Sequence, residues 1–164
     1  MRFVASLIAV LTSLAVSQVA TAEARSGSPR LDPGERSLIR AINGQRRANG
    51  LRKVRAAAGL SRAADFHSKE MLAGDYFAHP SRNGGAFDRR IRRFARGRAV
   101  GETLAMMSSC RGMSGTVIGM WMNSPSHRAI ILSPSFRRVG VGRRSGRLGG
   151  GRACMVTADF ASRR

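Results

Sequence analysis

Apolar residues spaced three and four positions apart predict two helices in the first half of the chain. Asp32 can cap the first helix, Glu35 follows three residues later as in a capping box, and Gly50 is expected to end the helix. The second helix is predicted over residues 60–73, with Gly74 ending it. The two apolar stripes are Leu38, Ile39 and Ile42 in the first helix, and Leu60, Ala63, Ala64, His67 and Met71 in the second.

Shorter helices are predicted farther along the chain. One covers residues 87–94, and its arginines are interpreted as a solvated face. Another covers residues 113–122 and is stopped by Pro125, after which His127 lies on the turn that begins a last helical segment. The arginines of the first of these helices are Arg89, Arg90, Arg92 and Arg93.

Three segments have the pattern of β-strands. Residues 99–107 form the first, with Glu102 near its start. Residues 139–142 and 154–160 form the other two, and the glycine- and arginine-rich stretch between them predicts a hairpin with a flexible tip at residues 143–152.

The first 24 residues have the layout of a secretory signal peptide. Arg2 precedes a mostly apolar run, and small residues then give Ala-x-Ala sites that end at Ala22 or Ala24. A membrane anchor is the alternative, but the apolar run is shorter than the roughly 20 residues that span a bilayer. We therefore expect a secreted protein in which residues 25–33 are a polar lead-in and residues 34–164 form one domain without a transmembrane segment.

The charge of the chain is strongly positive. Lys and Arg number 29 against 9 Asp and Glu, a net charge of +20. Such a surface should attract an anionic envelope polymer or lipid surface in a salt-dependent way. Aromatic residues are scarce and do not alternate with basic ones as in a base-stacking surface, so no specific nucleic-acid partner is predicted.

Cys110 and Cys154 are the only cysteines, and both lie in the part predicted to be exported. An even count outside a reducing compartment favours a disulfide between them, and two buried free thiols are the alternative. No Cys-x-x-Cys motif is present, so a thiolate metal site is not supported.

Two of the three histidines, His79 and His127, lie in loop-like segments, and Glu102 stands between them without basic neighbours in sequence. Imidazole binds divalent metals and transfers protons near neutral pH, so this trio predicts one shared polar site. The third histidine, His67, lies on an apolar helical stripe and is interpreted as a structural core residue. Trp121 has helical spacing with Val117 and Ile118 and is also predicted to be core.

Several blocks occur in a recognisable order: residues 39–43, 63–71, 77–79, 101–102, 121–132 and 139–142. Together they resemble the CAP superfamily of cysteine-rich secretory, antigen 5 and pathogenesis-related proteins, in its bacterial SCP-like form. The resemblance covers roughly residues 34–160, and the segment from Trp121 to Leu132 is its most specific part. It implies an α+β fold: a three-layer α-β-α sandwich with a small, mostly antiparallel central sheet.

The resemblance also implies a cleft lined by two histidines and two acids, which in some relatives holds zinc or another divalent metal. His79 matches the first histidine, Glu102 the glutamate and His127 the second histidine. At the fourth position many eukaryotic relatives have an acid, whereas this chain has Ser124, which is expected to line the cleft without supplying a negative charge. A metal would then bind through His79 and His127, with Glu102 as a third ligand or as the candidate catalytic base.

Family members are better defined by their fold than by one activity, so the resemblance leaves several functions open. The favoured hypothesis is a secreted domain whose cleft binds a small apolar molecule or a peptide. The alternatives are a metal-assisted hydrolase that uses Glu102 and a cationic adhesin for anionic envelope polymers. Enzyme activity is less favoured, because no Gly-x-Ser-x-Gly motif is present and both cysteines are expected to be paired.

Overall fold

The computed structural model describes residues 30–163, so the predicted signal peptide and most of the polar lead-in lie outside the described residues. None of the described helices is long and apolar enough to cross a membrane. In chain order the elements are α1 (Pro33–Ala48), β1 (Arg55–Ala56), α2 (Ala58–Gly74), α3 (Phe87–Phe94), β2 (Val100–Met107), α4 (Met113–Asn123), α5 (Pro125–Ile131), β3 (Arg138–Leu148) and β4 (Gly151–Ala161).

The ends of the first two helices follow from local chemistry. The Asp32 side chain accepts the Glu35 backbone N–H at 2.9 Å, and the Glu35 side chain accepts the Asp32 N–H at 2.9 Å, which completes the predicted capping box. Gly50, with φ 70°, follows α1 as predicted. In α2 the predicted stop is one residue early, because Gly74 is still helical and Asp75 takes the left-handed conformation at φ 51°.

The sheet has four strands in the order β1-β3-β4-β2, and only the short β1 pairs in parallel with its neighbour. The predicted flexible hairpin tip at residues 143–152 is wrong. Strand pairing continues through it as far as Leu148 and Gly151, and the turn is formed by Gly149 and Gly150 alone. Both turn glycines have positive φ, the requirement of a tight two-residue turn between antiparallel strands.

Helices cover both faces of the sheet, so the three-layer α+β architecture is confirmed. Val139 and Val141 of β3 point into a core shared with α1 and α4, whereas Gly140 and Gly142 face α2 on the opposite side. A Cβ atom on Gly140 would lie 2.0 Å from the Leu60 carbonyl carbon. The alternation of valine and glycine therefore lets α2 contact the strand backbone directly.

A disulfide and a side-chain hydrogen bond also connect the layers. Cys110, which follows β2, forms a disulfide with Cys154 in β4, which confirms the predicted pairing. Trp121 in α4 is 1% exposed and donates its indole N–H to the Leu104 carbonyl of β2 at 2.8 Å. Trp121 is thus a core residue, as its helical spacing predicted, and it also satisfies a backbone acceptor of the edge strand.

Candidate functional site

Glu102 lies near the start of β2, the strand at one edge of the sheet, and its side chain is almost wholly buried. One carboxylate oxygen lies 2.9 Å from Nδ1 of His79, and the other accepts a hydrogen bond from Nη2 of Arg90. Burial alone would raise the pKa of Glu102, but the bond from His79 and the charge of Arg90 outweigh it and hold that pKa below its ordinary value. Glu102 is therefore ionised at neutral pH with both of its oxygens engaged.

Arg90 was not predicted to belong to this site. The charge pattern of α3 predicts a solvated face that includes Arg90, whereas the residue is only 3% exposed. Its Nη1 donates to the His79 carbonyl at 3.0 Å and to the Ser81 hydroxyl at 3.1 Å. The signal that could have identified it is its position three residues after Phe87 and four before Phe94, on the same side of α3.

The other three arginines of α3 remain exposed, as predicted: Arg89, Arg92 and Arg93. Arg90 differs because it meets a buried carboxylate, and an ionised carboxylate is stable in a core only when it is paired.

His79 and His127 lie side by side although 48 positions separate them in the chain. Their ring centroids are 6.1 Å apart, and Phe87 lies at the same distance from the His79 ring on the α3 side. The His79 side chain is 44% exposed, and His127 is partly buried within α5. Burial and the neighbouring His79 lower the pKa of His127, so its imidazole is neutral at neutral pH. The structure thus brings His79, Glu102 and His127 together at the sheet edge.

Ser124 and His67 lie outside this trio and make other contacts. Ser124 immediately precedes α5, and its hydroxyl lies 3.3 Å from the Ser126 hydroxyl, a contact that does not join it to Glu102. His67 is fully buried with both ring nitrogens engaged, one at 3.1 Å from Glu70 and one at 2.9 Å from the Ala78 carbonyl. His67 is thus a structural core residue, as predicted, and its contact with Ala78 supports the loop that carries His79.

A second acid, Asp159, lies beside the site and was missed. It stands directly opposite Glu102 in the neighbouring strand β4, it is fully buried, and neither carboxyl oxygen accepts a hydrogen bond from a donor among residues 30–163. Burial, reinforced by the Glu102 carboxylate, raises the pKa of Asp159 well above its ordinary value. Asp159 is therefore held protonated. The sequence feature that could have identified it is the presence of an acid within a predicted apolar strand.

The two histidines provide the nitrogen ligands that a divalent metal prefers, and a carboxylate on the far nitrogen of a ligating histidine is a common way to orient the ring. The Glu102 contact at Nδ1 leaves Nε2 of His79 for such a bond. Among residues 30–163, however, no group of three or more His, Cys, Asp or Glu side chains is arranged to hold a metal ion. The geometry is compatible with a metal ion held by the two imidazoles and is not compatible with a three-ligand site that includes Glu102.

Comparison with known proteins places the chain in a family. Residues 39–160 match CAP, the cysteine-rich secretory protein family. The chain is 31% identical over 109 residues to the uncharacterized protein YkwD of Bacillus subtilis, an alignment that covers 66% of this chain and 41% of that protein. It therefore spans less than half the length of this relative.

Solved structures share the fold. An extracellular protein with an SCP domain from Bacillus anthracis superposes with a TM-score of 0.66 at 24% identity, over 83% of this chain and 45% of that one. An outer surface protein of Borrelia burgdorferi gives a TM-score of 0.65 at 17% identity, over 79% of this chain and 93% of that one. Because the family match runs from α1 to β4 and includes both histidines of the site, this chain belongs to the CAP family.

Proposed function

We propose that this chain is an exported CAP domain that binds a small apolar molecule or a peptide, and that His79 and His127 hold the polar end of that ligand. The observation that carries the proposal is the support of His79: a half-exposed imidazole is fixed at 2.9 Å by a buried carboxylate, which Arg90 neutralises. Such support orients an exposed ring before a ligand arrives, and preorganisation of this kind favours binding.

Binding is favoured over hydrolysis because Glu102 is poorly placed to act as a base. It is 1% exposed, and its two oxygens are engaged by His79 and Arg90, so it would have to break one of these bonds to reach a water molecule. Both cysteines are in the disulfide, which removes them as nucleophiles. Glu102 then acts through His79, as a positioning residue.

A divalent metal such as zinc is an optional part of this proposal. His79 and His127 would hold it, and the ion would supply a positive centre for an oxygen of the ligand. Their ring centroids, 6.1 Å apart, are close enough that a small shift of either ring would let both imidazoles reach one ion.

Two observations support the proposal that the chain is exported. The first 24 residues have the layout of a secretory signal. Two proteins of similar fold are described as extracellular and as an outer surface protein, respectively. Fractionation of cells that express the full chain, with and without residues 1–24, tests this part directly. Retention of the intact chain inside the cell would contradict it.

The test of the shared site uses His79→Ala, His127→Ala and, as the control, Ser126→Ala, an exposed residue on the same turn. Each purified protein is titrated with zinc by calorimetry, and material copurifying from the cell is extracted and identified by mass spectrometry. We expect either histidine substitution to reduce the zinc affinity at least tenfold or to remove a copurified ligand, whereas the control keeps both. Wild-type protein that holds no extracted ligand and binds zinc no better than the two histidine variants would overturn the proposal.

A further inference from the structure

A small pocket lies between α2, α3 and the loop of residues 81–86. Its volume is about 150 Å³, and its lining includes Phe66, Glu70, Ser81, Arg89, Arg90 and Arg93. An engineered apolar cavity of this size holds a benzene molecule, so the pocket suits a chemical group of similar size. The pocket adjoins the candidate histidine site, with which it shares Arg90, but neither His79 nor His127 lines it.

The pocket has an excess of positive charge. Arg89 and Arg93 are exposed on one side of α3 and make no ion pair within residues 30–163. Glu70 is the single acid in the lining, and its oxygens already lie at 3.1 Å from a ring nitrogen of His67 and 3.3 Å from the Arg82 backbone N–H. Two uncompensated guanidinium groups at the mouth of a small pocket favour an anion.

Arg90 provides a second, independent indication. It lines the pocket, its side chain is 2% exposed, and both of its Nη atoms are bonded within the protein. Its buried Nε has no hydrogen-bond partner among the described residues. Because this Nε is enclosed, a ligand oxygen could accept its bond only after a small shift of the Arg90 side chain toward the pocket. Such a bond would stabilise the pocket, since a buried donor without an acceptor is destabilising.

One wall of the pocket is apolar. Phe66 is 42% exposed although its ring packs against Phe94, with ring centroids 5.8 Å apart and the ring planes tilted by 42°. An aromatic face next to arginine donors suits a ligand that carries an apolar group beside its charge.

We propose that this pocket, bounded by α2, α3 and residues 81–86, is an anion-binding site. It takes a carboxylate or phosphate group attached to a short apolar chain, with Arg89 and Arg93 contacting the charge and Phe66 the chain. The inference goes beyond the proposed function, since it needs neither histidine and no metal.

The experiment follows amide and Phe66 ring resonances of the full domain by NMR while inorganic phosphate, acetate or hexanoate is added at constant ionic strength. We expect saturable shifts centred on α3 and residues 81–86, with hexanoate binding more tightly than acetate because its chain contacts Phe66. If phosphate bound more tightly than hexanoate, the recognised group would be a phosphate.

The matched variants are the double substitution Arg89→Gln/Arg93→Gln and the single substitution Arg92→Gln. Arg92 is an exposed arginine of the same helix that does not line the pocket. We expect the double variant to bind the best probe at least about tenfold more weakly and the Arg92 variant within about twofold of wild type. Equal weakening in both, or shifts that never saturate, would show only attraction to the basic surface and would overturn the site. The double variant is also titrated with zinc. Unchanged zinc affinity would show that the loss of anion binding is independent of the histidine site.

Discussion

Two buried acids on neighbouring strands have opposite protonation because their partners differ. His79 and the Arg90 guanidinium favour the charged form of Glu102, whereas Asp159 accepts no hydrogen bond from a donor among residues 30–163 and lies opposite the Glu102 charge. Two adjacent carboxylates cannot both ionise in a core without a large cost, so the better-supported group takes the charge. The site therefore has one negative charge fixed by one arginine.

The protonation of Asp159 predicts how stability depends on pH. Since the pKa of Asp159 is raised in the folded state, the folded protein keeps a proton that the unfolded chain loses above pH about 4. This group therefore lowers stability as the pH rises, by at most about 1.4 kcal/mol per pH unit, until the folded-state pKa is reached. Asp159→Asn, which mimics the protonated acid, should be increasingly more stable than wild type between about pH 4 and pH 7 by urea denaturation.

Asp88→Asn is the control, since Asp88 is an acid on the outer part of α3 whose side chain is 49% exposed. Its stability relative to wild type should change little over the same pH range. If Asp159→Asn instead lost stability relative to wild type as the pH rose, Asp159 would be ionised in the folded protein and the assignment of charge would be reversed.

At the scale of elements, the contact between α2 and β3 depends on the glycines of the Val-Gly-Val-Gly segment. A Cβ atom on Gly142 would lie 2.2 Å from the Asp65 backbone nitrogen, and a helix backbone cannot move away as a flexible side chain could. Since α2 also carries His67 and leads into the loop of His79, this packing positions the site as well as the core.

Gly142→Ala should therefore lower the free energy of unfolding by about 3 kcal/mol or more, because it overpacks a backbone contact. The control is Gly119→Ala, which lies inside α4 with open space around its Cα and should increase stability by about 0.5–1 kcal/mol. Chemical denaturation of the two variants measures both effects. If Gly142→Ala left the free energy of unfolding unchanged, α2 and β3 would be farther apart than the structure places them.

For the whole molecule, the disulfide and a buried arginine link segments that are distant in sequence. Cys110 and Cys154 close a loop with a sequence separation of 44, which includes α4, α5 and β3. Arg46 of α1 is fully buried, and its guanidinium donates to the carbonyls of Ile131, Ser133 and Phe136. Both links restrain the segment that carries His127 relative to the rest of the fold.

Removing the disulfide tests the first link. On the chain-entropy estimate for a loop of this length, Cys110→Ala/Cys154→Ala should lose about 4 kcal/mol of stability. Guanidinium denaturation with and without a reducing agent checks this value, since the oxidised and reduced wild-type proteins should differ by a similar amount and the variant should not respond to the reductant. Equal stability of oxidised and reduced wild type would contradict the estimate.

The sequence by itself determined the five helices, three of the four strands and the three residues of the candidate site. Helix starts, the capping box and the apolar stripes depend on interactions within a few residues, and the ordered blocks around His79 and Trp121 carried the resemblance to the CAP superfamily. Only the tertiary structure decided which charged side chains are buried. Arg90, Asp159 and Arg46 look like ordinary charged residues in sequence, because their partners lie on other elements and the burial of a charge depends on what surrounds it after folding.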